Sequence, residues 1–108
     1  MSQEKFADLK MYILVNDTLP VGLAMNSVAH GVLMADLQFG DDSEYLQWKT
    51  YSFKKVTCKV TDAEFEKAKG VEGRVVVTES ALGNQEVVLV FRPRLVWPGV
   101  IKFAKIYK

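Results

Sequence analysis

One cysteine and one histidine are all that the 108 residues offer of the two commonest reactive and metal-binding side chains. A lone Cys58 excludes an internal disulfide framework and fits a reducing compartment. It alternates with Val56 and Val60, as a core residue of a strand does. With a single imidazole and no second thiol at ligand spacing, no metal site is expected. No cofactor is expected either. Gly22 opens a helix pattern, but the second and third glycines of a dinucleotide fingerprint do not accompany it. Charge of one sign is also missing. Fourteen basic residues against 13 acidic leave a net charge of +1, so nothing global argues for nucleic acid or an anionic membrane. The opening MSQEKFADLK shows no apolar segment of the kind a secretory signal needs, and a cytoplasmic location is the expectation. Thr18 to Ala35 lacks formal charge. It nevertheless carries Pro20, Gly22, Asn26, Ser27, His30 and Gly31, polar or helix-disrupting groups that suit hydrocarbon poorly. It reads as a helix covered by its own protein, and no membrane contact is expected.

What the chain does have is core. Apolar residues make up 49% and charged residues 25%, the balance of a globular protein, and the length suits one domain over 1–108. No repeat, low-complexity tract or linker divides it.

Strand and helix signals alternate. Met11-Tyr12-Ile13-Leu14-Val15 is an unbroken apolar run, as a strand buried on both faces requires. Asn16 to Pro20 supplies turn chemistry and a proline suited to a helix start. From Val21 to about Phe39 the period is helical, and Gly40 with Asp41 and Asp42 ends it. Ser43 to Trp48 forms a short second helix. Val56, Cys58 and Val60 alternate with polar residues, predicting a strand with one face inward. Thr61-Asp62-Ala63-Glu64 is a capping box, opening a helix that stops near Gly70. Two apolar strands follow, Arg74 to Thr78 and Glu86 to Phe91. Their seven-residue link is too short for a helical crossover and predicts an antiparallel pair. Lysines at 102, 105 and 108, with Val100, Phe103, Ala104 and Tyr107 on another face, predict a closing helical turn or two. The class is α/β, with a four-stranded mixed sheet and helices on both faces.

Ile13-Leu14-Val15-Asn16-Asp17, Leu19-Pro20-Val21-Gly22, Ala29-His30-Gly31 and the closing run Val87 to Pro93 resemble the class II peptidyl-tRNA hydrolases. The order of elements is similar over nearly the whole chain, whereas the motif likeness covers only a minor part. The chain looks closer still to uncharacterised small proteins of that fold, in which "LPVGLAxN" replaces the enzyme's pattern. The resemblance implies a three-layer α/β/α domain and, in the enzymes, cleavage of the ester between peptide and tRNA. The histidine place is kept, as His30. Where the family has a lysine after the helix-opening glycine, this chain has Leu23. The family's glutamine four residues later corresponds to Ser27, and its aspartate after the third strand has a loose counterpart in Thr78-Glu79-Ser80.

Glu79 and His30 are the candidate catalytic residues, each able to act as a general base. Asn16, Asp17, Gly22, Asn26, Ser27 and Ser80 are the candidate ligand-binding residues. At 100° per residue, Asn26, Ser27 and His30 fall within about a third of the helix circumference. That trio could form a site, or it could hydrogen-bond neighbouring backbone. His30 lies about 12 Å along the helix from Gly22 at 1.5 Å per residue, away from the strand ends where such sheets bind ligands. A buried, hydrogen-bonded structural histidine is therefore the expectation. Asp17 and Glu79, at the carboxyl ends of the first and third strands, should lie at one edge of the sheet beside the helix's free amides. Asp17 is equally suited to a turn.

Residues 91–108 hold Arg92, Arg94, Lys102, Lys105 and Lys108 interleaved with aromatics, and no acidic residue. This pattern could track an RNA backbone, or simply be a solvated face over core. Two functions remain open. One is a non-catalytic ligand-binding or assembly module, with tRNA or a small anionic ligand as partner and a homodimer through Trp97. The other is a peptidyl-tRNA hydrolase-type esterase. Fold alone does not decide between them, and the loss of the lysine favours the first.

Overall fold

The computed structural model describes residues 6–108. Strand β1, Lys10–Asn16, is buried from Met11 onward, and its side chains divide between two cores. Met11, Ile13 and Val15 point to one, Tyr12 and Leu14 to the other. The unbroken apolar run thus serves a strand covered on both faces.

Helix α1, Val21–Phe39, follows Pro20, which occupies the N-cap without a side-chain cap. Its buried residues are Ala24, Ser27, Gly31, Ala35 and Phe39. Four of these five are small, and their spacing by three or four puts them on one face. That face lets α1 lie close on the sheet. It packs mainly over the two later strands and touches β1 only lightly. Helix α2, Ser43–Tyr51, adds Tyr45 and Trp48 to the same core. The Trp48 indole N–H donates to the Lys54 carbonyl at 2.8 Å, so the buried ring keeps its hydrogen bond.

Strand β2, Lys54–Val60, runs parallel to β1. Helix α3, Asp62–Ala68, begins at the capping box: the Thr61 amide donates to Glu64 Oε1 at 2.8 Å, and the Glu64 amide to Thr61 Oγ1 at 3.2 Å. The amide hydrogen bond holds the Glu64 carboxyl below its ordinary pKa. Strands β3, Arg74–Glu79, and β4, Gln85–Phe91, form the antiparallel pair that the short link requires. Between them a 3-10 turn, Ser80–Leu82, closes through Gly83, whose φ of 65° lies in the left-handed region open to glycine. The register slips by one between Val77 and Thr78, which oppose Val88 and Glu86, so Val87 is the extra residue of a bulge.

The sheet order is β2-β1-β4-β3. Because β4 is antiparallel to both β1 and β3, those two strands point the same way. Helices α1 and α2 cover one face, while α3 and the single-turn α4, Gly99–Lys102, cover the other. The result is a mixed α/β fold with a four-stranded sheet, and among the described residues no helix is long and apolar enough to cross a membrane.

One expectation for the closing segment is met and one is corrected. It holds one helical turn, and beyond it Lys105 to Tyr107 run extended along β2. The Lys59 amide donates to the Lys105 carbonyl and the Tyr107 amide to the Thr57 carbonyl, both at 2.9 Å. The unfilled edge of β2 outweighs the helical spacing of the lysines. Trp97, expected at a dimer surface, is instead buried, with its ring 4.7 Å from that of Tyr12 and 6.0 Å from that of Phe91. Its indole N–H is satisfied internally by the Arg94 carbonyl. Trp97 is core.

Candidate functional site

Asn16 ends β1 and is buried. Its Nδ2 donates to Asp62 Oδ1 at 2.6 Å, and its Oδ1 accepts from the Thr18 amide at 2.9 Å and the Thr18 hydroxyl at 2.6 Å. These bonds tie the end of β1 to its own turn and to the first residue of α3. The carboxamide oxygen is fully used, which leaves little for a ligand. Asp17 is exposed, and its amide donates to the Val60 carbonyl at 2.8 Å. Gly22 is exposed too, and a Cβ added there would meet nothing within 4 Å. No close backbone approach demands glycine at that point.

The polar trio of α1 does find partners in space. Asn26, Ser27 and His30 line a cleft of about 280 Å³ together with Thr78, Glu79 and Ser80 at the end of β3, and with Asn84. The expectation that His30 lies far from the strand ends is corrected here. Distance along the helix from β1 was the wrong measure, because α1 crosses to β3 and β4. His30 meets the end of β3.

The expected buried, hydrogen-bonded imidazole is also corrected. His30 is exposed, and among the described residues no hydrogen bond fixes its ring. The buried face runs through Ser27, Gly31 and Ala35, and one residue's turn of 100° away from Gly31 carries His30 to the flank. Ser27 is the buried member of the trio, 4% exposed. Glu79 is half-buried, and one carboxylate oxygen accepts from the Ala81 amide at 3.2 Å. That bond caps the 3-10 turn and leaves the second oxygen without a protein donor among the described residues. Asn84 was not recognisable beforehand, since only the hairpin brings it back beside Glu79. Its φ of 63° marks a turn and carries no signal of a cleft.

Asp17 and Glu79 do not share a cavity. Their strands point the same way, but β4 stands between them. Asp17 opens instead on a larger groove of about 780 Å³ beside Lys59, Thr61, Glu64, Lys105 and Lys108, with Phe103 on its wall. The basic closing segment reaches this groove only in part. Arg92 pairs with Asp42 at 3.4 Å, and Arg94 lies over the Trp97 ring. Phe91 and Trp97 are buried, so neither can stack on a base, whereas Phe103 is exposed. Leu23, in the first turn of α1, is half-buried against the core beneath the helix.

Among the described residues, the cleft between α1 and β3 presents hydroxyl, carboxamide, imidazole and carboxylate groups but neither lysine nor arginine. Among the described residues no group of three or more His, Cys, Asp or Glu could hold a metal ion. Burial in the opposite core pushes the Cys58 thiol up to about 11, which leaves it protonated and unreactive at neutral pH. Compared with known proteins, the chain matches no family model and no curated sequence.

Proposed function

We propose that this chain is a non-catalytic binding module with the peptidyl-tRNA hydrolase II-like architecture, whose ligand sits in the cleft between α1 and the end of β3. The supporting observation is convergence: side chains from one helix, one strand end and one hairpin turn meet there, most without a hydrogen-bonding partner among the described residues. The single carboxylate and the absence of lysine or arginine suit a neutral or amine-bearing polar molecule better than an anion. Anionic ligands, tRNA phosphates included, would find their cations in the groove of Lys59, Lys105 and Lys108.

One observation favours the esterase alternative: His30 and Glu79 share an open cleft, where either could take a proton from water. Against it, ester cleavage needs donors or a cation where negative charge develops. Leu23 supplies neither, and the carboxamide of Asn16 is engaged elsewhere. A peptidyl-tRNA hydrolysis assay beside a class II enzyme separates the two readings. The unmodified chain should show no turnover above background. Turnover abolished by Glu79→Gln or His30→Ala would replace the binding reading with the enzymatic one. Screening small polar molecules by amide NMR tests the binding reading itself. Shifts should gather at Asn26, Ser27, His30, Thr78 to Ser80 and Asn84. A ligand that instead perturbs only the lysine groove would refute the assignment of the cleft.

A further inference from the structure

The two edges of the sheet are treated differently. The outer edge of β2 is paired by the chain itself from Thr57 to Lys59, through the Lys59–Lys105 and Thr57–Tyr107 backbone hydrogen bonds. The outer edge of β3 meets no strand or segment among the described residues. Its sequence, Arg-Val-Val-Val-Thr-Glu, is mostly β-branched and has no proline or lysine, and the one bulge lies in β4. Those are the devices that ordinarily blunt an edge. We propose that β3 pairs antiparallel with β3 of a second copy, joining the two sheets across a twofold axis. This inference is independent of what the cleft binds.

Backbone directions give the register. The Gly73 carbonyl accepts from the Arg92 amide and the Glu79 carbonyl from the Asn84 amide, so the odd-numbered residues turn their polar groups toward β4. Alternation then turns those of Arg74, Val76 and Thr78 outward. A twofold axis must oppose residues that point to the same face. Centring it on Val76 sets Val76 against its own copy, Arg74 against Thr78 and Val75 against Val77. All the outward groups are then paired, in about six hydrogen bonds. Centring it on Val77 would set Val75 against Glu79, a carboxylate on an apolar residue.

A second copy is the fitting occupant for two reasons. The strand begins with a cation and ends with an anion, so antiparallel self-pairing brings the positive end of each copy toward the negative end of the other. The flank of α1 beside β3 also continues from Asn26 and His30 to Leu33 and Leu37, which are 67% and 87% exposed. Across the axis this flank meets the same flank run in reverse, with Leu33 and Leu37 of each copy turned toward the Asn26 and His30 end of the other. The pairing further sets Arg74 of the second copy beside Thr78, a residue of the cleft wall. Both side chains stand on the face of Val76, opposite α1, so the cleft itself gains no cation.

Sedimentation equilibrium and light scattering test the pairing directly. The unmodified chain should have twice the monomer mass at hundreds of micromolar. Val76→Pro removes an outward N–H that the monomer does not use, and should halve the mass with the circular dichroism retained. Should that variant misfold, Leu33→Lys with Leu37→Lys, at exposed positions, should have the same effect on mass. Oxidation of Val76→Cys should yield a disulfide-linked dimer, while Thr78→Cys, which faces Arg74, should not; Cys58 is buried and does not compete. A monomeric unmodified chain would overturn the proposal and leave the edge to an extended segment of a different protein. So would a dimer that survives both Val76→Pro and the leucine substitutions.

Discussion

Gly31 decides how closely α1 sits on the sheet, and replacing it tests the packing that builds the cleft. A Cβ at residue 31 would lie 2.7 Å from Val90 Cγ2 and 2.8 Å from Val77 Cγ2. Both atoms belong to β-branched side chains with little rotamer freedom, on strands buried beneath the helix. Neither can swing aside cheaply. Two effects therefore oppose each other in Gly31→Ala. Alanine raises helix propensity by about 1 kcal/mol, whereas overpacking a filled core costs about 1–3 kcal/mol. With two contacts well inside van der Waals distance, the steric effect should win by about 1 kcal/mol, lowering Tm by about 4–8 °C in a chain of this size.

Gly22→Ala is the internal control. It lies in the same helix but has open space around its Cβ, so alanine there should stabilise by about 0.5–1 kcal/mol. Urea denaturation of the two variants should thus give shifts of opposite sign. Trimming Val90 to alanine should relieve part of the Gly31→Ala penalty, since it removes one of the two close contacts and leaves that with Val77. If Gly31→Ala proved as stabilising as Gly22→Ala, the close seating of α1 on β3 and β4 would be wrong, and with it the geometry of the cleft.

Asn16→Ala should destabilise by about 1–3 kcal/mol in urea, because the Thr18 amide and hydroxyl and the Asp62 carboxylate lose their partner together. His30→Ala should leave stability within about 0.5 kcal/mol, as for other exposed positions, while abolishing ligand-induced NMR shifts in the cleft. Burial pushes the Cys58 thiol up to about 11 and, reinforced by the charge of Asp36, the Tyr45 phenol up to about 12. The unfolded chain releases these protons at lower pH than the folded one, so thermal stability should fall as pH rises above about 9, and Cys58→Ala should flatten the first part of that fall.

Fold class was readable because local signals and tertiary demands agree. The apolar run of β1 needed two covered faces and received them. The Thr61 box caps α3 with the hydrogen bonds its spacing calls for, and a link too short to cross the sheet made β3 and β4 antiparallel neighbours. The closing segment was readable only for its one helical turn, because two forces compete beyond it. Lysines at every third residue follow helical spacing, but unpaired N–H and C=O groups on the edge of β2 reward an extended partner. Only the folded sheet shows that this edge is vacant. Trp97 misled for a related reason. An aromatic among basic residues and prolines looks like an anchor for a partner, yet its partner is the far face of β1 and β4.

The cleft shows most clearly how a site escapes a one-dimensional reading. Asn26, Ser27 and His30 could be placed on one flank of α1 from helical geometry alone, and Glu79 and Ser80 at a strand end from the hydrophobic pattern. Joining the two sets required the direction in which α1 crosses the sheet. That direction follows from small residues: Ala24, Ser27, Gly31 and Ala35 let the helix settle on β4 and β3 rather than stay above β1. Once settled, the helix turns its polar flank toward the end of the edge strand. The residue that seems least chemical, Gly31, is thus the one that brings the histidine to the carboxylate.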